Sequence, residues 1–270
     1  MKYRVVIVNY NKPDAVDNLL NELSLQSLPP DSVCVVDNSP EAGSFVERRP
    51  DPYPFKFELH LFPQNIGYSQ ACNFGAAGGD WDWLVLLNPD IEVRDRFFFD
   101  RIISAASFDT DLGCVGVTQL NPDGSYERVA RRFPSLRAIL GKRVPVLRFL
   151  FSRDVESYLH TYPSEYIEDG QSISVDWLQS SFLLAPRRVW SALGGFDEKF
   201  FVFMADTDLG ARVDQIGLRS KLYLSFRLFA DGKRSSEGGV LDIFRNKIIR
   251  IHIGDAIRYF RSRLTYRLAN

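Results

Sequence analysis

The sequence predicts an α/β fold in which a mostly parallel sheet is flanked by helices, with a helical basic tail at its C-terminal end. Two observations predict it. Short apolar, β-branched runs are separated by a segment of helical spacing, the mark of βαβ units with parallel pairing. Three of these runs end in Asn or Asp, at Asn9/Asn11, at Asp37-Asn38 and at Asn88/Asp90. A parallel sheet sets such ends along one edge, where open α/β sheets bind their ligands.

Residues 3–8 form a β-branched run that closes on the polar turn Asn9-Tyr10-Asn11-Lys12-Pro13-Asp14. Residues 15–28 carry Val16, Leu19, Leu20, Leu23 and Leu28 near helical spacing, and Pro29-Pro30 ends that helix. Residues 32–36 make a second strand and residues 55–61 a third. Asn65-Ile66-Gly67 then leads into a small-residue helix over 68–77 that contains Cys72, Asn73 and Gly75. Leu84, Val85, Leu86 and Leu87 are short enough to be a strand buried on both faces. The run stops at Asn88-Pro89-Asp90, because Pro89 cannot donate to a sheet ladder, and resumes at Ile91 and Val93. Further on, Gly194-Gly195 opens a turn and Phe196, Phe200, Phe201 and Phe203 supply an apolar wall. Asp206 and Asp208 precede a helix over 209–216, and one of them is expected to cap it.

The composition is that of an ordinary globular protein: 270 residues, 45% hydrophobic and 25% charged. A net charge of -1 gives no global argument for nucleic acid, and none is expected as a partner. Cys34, Cys72 and Cys114 are odd in number, widely spaced and set among apolar or small residues, which reads as buried free thiols in a reducing compartment. No signal peptide and no uncharged span of membrane length are read, so a cytoplasmic location is expected.

The polar strand ends suit a nucleotide, with a carboxylate for a base N–H and amides for ribose hydroxyls. Neither a G-x-G-x-x-G fingerprint nor a G-x-x-x-x-G-K-[ST] loop follows the first strand. A diphosphate would therefore be held by a cation and side chains.

V-V-I-V-N-Y-N-K-P, V-V-D-N-S, N-I-G-Y-S-Q-A-C-N-F-G and L-V-L-L-N-P-D-I-E-V resemble the successive motifs of family 2 glycosyltransferases. So do V-D-W-L-Q-S-S-F-L-L-A-P-R-R and G-G-F-D-E-K-F-F-V-F-M-A-D-T-D-L. The similarity covers roughly residues 3–236 and is greatest to the rhamnosyltransferase-like enzymes of bacterial polysaccharide assembly. It implies a GT-A domain over 1–240, with a donor half about 1–120 and an acceptor half about 121–240, followed by the tail at 241–270. By resemblance Asp37 recognises the nucleobase, flanked by Asn9, Tyr10 and Asn38, while Asn65, Gly67, Asn73 and Asn88 fall on the donor side. Asp90 takes the last place of the DxD-type motif, whose carboxylate binds a divalent cation, Mg²⁺ or Mn²⁺, bridging the diphosphate. Asp206 matches the second acid of the E-D-x-D-L motif, the general base of an inverting transfer. A phenylalanine-rich wall would raise its pKa, as suits a base near neutrality.

Two positions depart from the pattern. The Glu before the base is Ala205, and the His near the end of the last core strand is Ala230. His60, His160 and His252 are remote in sequence. Lys233 and Arg234 could neutralise the diphosphate in place of a cation, or form a solvated basic turn.

Residues 128–153 interleave basic and apolar side chains without acids, as suits a flap over an acceptor or a membrane surface. Asp176, Trp177 and Gln179 follow as acceptor-side candidates, with Trp177 either stacking on a sugar or sitting in the core. In the tail, Arg245, Lys247, Arg250, Arg258, Arg261, Arg263 and Arg267 face only Asp242 and Asp255. Docking on the domain, homodimerisation and binding to anionic lipid are all open to it. The expected function is transfer of a sugar, rhamnose or another hexose, from a nucleoside-diphosphate sugar to a saccharide or lipid-linked acceptor in cell-surface polysaccharide synthesis. The alternatives are a degenerate nucleotide-sugar binder and a sugar nucleotidyltransferase.

Overall fold

The computed structural model describes residues 1–40, 53–143, 145–159, 172–230, 251 and 253–262. β1 (Tyr3–Asn9) is buried almost throughout. α1 (Pro13–Ser24) begins on a proline, whose missing N–H is not needed in a first turn, and buries Val16, Leu19, Leu20 and Leu23. It ends before the predicted 28, and Leu28 packs against the same core from the following turn. β2 (Ser32–Asp37) and β3 (Lys56–Leu61) extend the sheet, and α2 (Tyr68–Ala76) crosses back to β4 (Trp83–Leu87).

A short β5 (Ile91–Glu92), α3 (Phe98–Ser107) and β6 (Leu112–Leu120) follow. β7 (Ala130–Arg131) opens a helical insert of α4 (Leu136–Arg143), α5 (Pro145–Leu150) and α6 (Ser152–Leu159). The chain returns through β8 (Ser172–Val175), β9 (Trp177–Leu178), β10 (Phe182–Pro186) and α7 (Arg187–Leu193). α8 (Ala205–Gln215) and β11 (Arg219–Ala230) complete the domain.

The main sheet has the order β3-β2-β1-β4-β10-β6-β11-β5, with β8 also on β11. β3, β2, β1 and β4 are parallel neighbours, and β6 pairs in parallel with β11. β10 runs against both β4 and β6, so β6 and β11 share the direction of the first four strands. The sheet is thus mostly parallel, and β2, β1 and β4 end side by side. One apolar core lies beneath α1 and α3, and a second lies beneath α2, α7 and α8. Cys34, Cys72 and Cys114 are buried free thiols.

Of the tail, residues 253–262 are helical and lie against this domain: Ala256 and Tyr259 join the second core, and Asp255 is fully buried. Docking on the α/β domain is therefore one use the tail makes of its apolar face. Apart from Ile251, the remaining tail positions and Lys233 and Arg234 lie outside the described residues. Among the described residues no helix is long and apolar enough to cross a membrane.

Candidate active site

The parallel register fixes the first part of the site. Asn9 is the register partner of Asp37, and Asn38 N–H donates to the Asn9 carbonyl at 2.9 Å. Asp37 is fully buried; its Oδ1 accepts from Asn9 Nδ2 (3.0 Å), Ser39 N (2.9 Å) and Ser39 Oγ (2.5 Å). Its Oδ2 is buried with no partner among the described residues. An unpartnered buried carboxylate oxygen is costly, and a ligand N–H at the strand edge would satisfy it. Asn38 is placed in the same way: its Nδ2 donates to the Gly67 carbonyl at 3.2 Å, while its Oδ1 is buried and unpartnered. Tyr10 stands exposed beside them.

Gly67 has φ +91, and a Cβ there would lie 2.7 Å from the Phe201 carbonyl oxygen. Asn65 Oδ1 accepts the Gly67 N–H at 2.8 Å and fixes this turn. Gly67→Ala is expected to cost about 1–3 kcal/mol, read as a lowered Tm, because a left-handed backbone and a clash coincide. An unchanged Tm would remove this assignment.

At the end of β4 the chain turns outward. Asp90 Oδ2 pairs with Lys12 Nζ at 2.9 Å, so the turns after β1 and β4 meet through a cation that the sequence reading passed over. Ala230 is the register partner of Ile91, which places the departure from the family pattern next to Asp90. Among the described residues the one group of three close metal-ligand side chains is Cys34, Glu58 and His60, on β2 and β3. Glu58 there is committed to Arg4 at 2.6 Å and Lys56 at 2.8 Å, and the hydrogen bond from Arg4 first, then that from Lys56 and the two charges, hold its carboxyl down to about 2 against burial.

Asp206 lies in the first turn of α8, half-buried. It caps nothing: Met204 occupies the N-cap with no side-chain hydrogen bond, and Asp208 is turned to Arg212 at 2.7 Å. The expected capping role therefore fails for both acids, Asp208 because an arginine one turn on holds its carboxylate. Asp206 instead accepts from Ser180, from Oγ at 2.7 Å and from N at 3.2 Å. This approach of α8 to β9 is made possible by Gly210, where a Cβ would lie 2.7 Å from the Asp176 carbonyl oxygen. Burial pushes the Asp206 carboxyl up to about 6, against the Ser180 hydrogen bonds and the Arg131 charge, which pull it down. Tyr68 links the turn after β4 to that after β9, its hydroxyl donating to the Ser180 carbonyl at 2.9 Å and lying 3.4 Å from Asn88 Oδ1.

Several expected contacts are drawn elsewhere. Asn73 spends its carboxamide on the backbone of Phe196, donating to the carbonyl at 2.8 Å and accepting the N–H at 2.9 Å. Asp176 accepts the Phe133 N–H at 2.7 Å and anchors the insert. Trp177 is buried, donates Nε1–H to the Arg132 carbonyl and packs with Ala138 and Tyr158, so its ring is a core element and not a sugar platform. Gln179 keeps a buried, unpartnered Oε1. Ala205 is fully buried in the second core. Ser180, Tyr68, Lys12 and Arg131 are the participants that sequence reasoning missed. Ser180 was within reach, since it stands in the quoted L-Q-S-S run.

The model of glycosyl transferase family 2 matches residues 4–162. An N-acetylglucosaminyl-diphospho-decaprenol L-rhamnosyltransferase of Mycobacterium tuberculosis is 33% identical over 229 residues, covering 79% of this chain and 70% of that protein. The O-antigen biosynthesis protein RfbC of Myxococcus xanthus is 28% identical over 222 residues, 81% of this chain but 16% of its own length. Among solved structures, the mannosyltransferase PcManGT of Pyrobaculum calidifontis, in complex with GDP-Man and Mn²⁺, superposes with a TM-score of 0.55 at 16% identity. That match covers 87% of this chain and 58% of PcManGT. GalNAc-T7 with UDP, GalNAc and Mn²⁺ gives 0.60 at 13% identity, over 91% of this chain and 48% of that one. With the strand-edge acids, the GT-A architecture and these matches in agreement, the chain belongs to glycosyltransferase family 2.

Proposed function

We propose that the protein is an inverting glycosyltransferase that moves a sugar from a nucleoside-diphosphate sugar to a hydroxyl of a saccharide or lipid-linked acceptor in cell-surface polysaccharide synthesis. The carrying observation is Asp206, a half-buried carboxylate held by Ser180 and raised to about 6, joined through Tyr68 to the strand edge that bears Asn88. Asp37 and Asn38 receive the nucleoside, with Asn9 orienting Asp37 and Tyr10 beside them. Asn65 and Gly67 shape the donor wall. Asp206 takes the proton of the acceptor hydroxyl as its oxygen attacks the anomeric carbon in line and the nucleoside diphosphate leaves. Ser180 orients the base, and Gln179 offers an acceptor-side oxygen.

The M. tuberculosis relative supports a polyprenyl-diphosphate-linked acceptor and rhamnose as the sugar. Turnover of purified full-length protein with a panel of nucleoside-diphosphate sugars and a short synthetic polyprenyl-diphosphate saccharide tests this. Mass spectrometry should show one added sugar, and NMR an inverted anomeric centre. Donor that binds but is never transferred, identically in wild type and Asp206→Asn, would leave a binding protein instead.

A divalent cation fits Asp90 in the way Mg²⁺ or Mn²⁺ uses one or two carboxylates together with substrate phosphates. Such an ion would offset charge on the departing diphosphate. Lys12, beside the same carboxylate, supplies positive charge from the chain itself, and Lys233 and Arg234 follow β11 in sequence.

The helical insert exposes Leu136, Phe149 and Leu150, at 56%, 90% and 70%, with Arg137, Arg148 and Arg153 also exposed. Apolar side chains among arginines fit an anionic bilayer, and in the tail the exposed Ile257 adds to them, or serves a homodimer contact. In low salt the protein is expected to float with vesicles containing anionic lipid, and Phe149→Ser with Arg148→Ser should reduce the floated share several-fold. Wild type left wholly at the bottom of the gradient would exclude the membrane contact. Sedimentation would show a dimer if the tail makes one.

A further inference from the structure

The segment leading into Asp206 is held from the tail. Asp255, fully buried on the helix of residues 253–262, accepts three consecutive backbone N–H groups with one carboxylate. Oδ1 takes that of Phe201 at 3.2 Å, and Oδ2 takes those of Val202 at 3.1 Å and Phe203 at 3.0 Å. Arg258 Nη1 donates to Oδ1 at 2.9 Å and balances the charge. Directly after this segment Met204 sits in the left-handed region at φ 66, and α8 starts at the next residue. A non-glycine residue holds such a backbone only where its surroundings over-determine it. Three amides bound to a buried carboxylate on one side do so, and on the other the Phe201 carbonyl accepts the Tyr68 N–H at 2.6 Å. Tyr68 is the residue whose hydroxyl donates to the carbonyl of Ser180, the residue that holds Asp206, so the clamp reaches Asp206 by two routes: along the chain through Met204, and through Tyr68 to Ser180.

We infer that Asp255 is a positioning residue for catalysis: the tail helix, through this carboxylate, sets the strained turn that aims Asp206. The tail is then a working part of the transferase and not a detachable appendage. This rests on Asp206 being the base.

The test uses the full chain with Asp255→Asn, which keeps size and one acceptor oxygen, and Asp255→Ala, read by amide exchange and by kinetics. Exchange should rise over residues 201–209 in both variants and stay unchanged in β1, β2 and β4. Turnover should fall roughly 10- to 100-fold, the scale of a small misplacement of a reacting group. Nucleoside-diphosphate affinity should hold within about twofold, since Asp37 and Asn38 are untouched. The acid limb of the pH–rate profile should move as the base changes its surroundings. The inference is overturned if Asp255→Asn exchanges and turns over like wild type, or if it loses nucleotide affinity and turnover in equal measure. Should Asp255→Ala fail to fold, Asp255→Asn decides. A wild type that transfers nothing would sink the transferase reading, and the clamp would stand or fall on exchange alone.

Discussion

Asp206→Asn is expected to lower kcat by about 10²–10⁴-fold, the usual contribution of a positioned general base, while the nucleotide still binds. Asparagine keeps the shape and one acceptor oxygen for Ser180, giving up an acceptor for one of its two hydrogen bonds, so most of the loss reports proton transfer. In the wild type the base acts ionised, and burial raises its carboxyl to about 6. kcat/KM should therefore fall about tenfold per pH unit below that value and level off above it. A profile flat down to pH 4.5 would rule out Asp206 as the titrating base. Stability gives an independent check with the opposite sign. A carboxyl whose folded pKa lies above its unfolded value near 3.9 binds its proton more tightly in the folded protein. Between about 4 and about 6 the folded state then carries more protons than the unfolded one, so this group's contribution to stability declines as pH rises through the window. Asp206→Asn should remove that component, and chemical denaturation at pH 4, 5, 6 and 7 would show it.

The second large effect is expected at Asp37. Its Oδ1 is used by Asn9 and Ser39, and its buried Oδ2 has no partner among the described residues. A hydrogen bond from a base N–H to this carboxylate should be worth about 1.5–3 kcal/mol, or roughly 10- to 150-fold in affinity. Asp37→Asn either presents an N–H to that donor or turns its N–H toward Asn9 and Ser39, and it loses at one end or the other. Calorimetry with UDP, GDP and dTDP should show the wild type preferring a base with a ring N–H at the matching position, and the variant weakened on that base by this factor. Equal affinity in both proteins for every nucleotide would place the base elsewhere.

Much of this was legible in the chain. The β1, β2 and β4 runs are apolar on both faces, which only a covered parallel sheet accommodates, and their polar ends therefore had to share an edge. Asp37 and Asp90 could be named from that alone. Asp206 was reached through its motif, since a single acid before a helix reads equally well as a cap. Asn73 and Asp176 bond neighbouring backbone groups, which local sequence does not reveal, because an Asn or Asp in a motif-like run looks the same whether it faces a ligand or a backbone amide. Local sequence leaves both roles open to Trp177 for a similar reason: its burial depends on Ala138 and Tyr158 in the insert, which local sequence does not bring near.

Sequence alone determined β1 to β4, the edge they end on and the acids along it, because hydrophobic period and turn chemistry are local properties of the chain. Tertiary structure decided what those acids touch. The Lys12–Asp90 pair, the grip of Ser180 on Asp206 and the three amides on Asp255 each join residues far apart in the chain. Such contacts follow from how α8, β9 and the tail helix pack, and packing is set by the whole core rather than by any stretch of it.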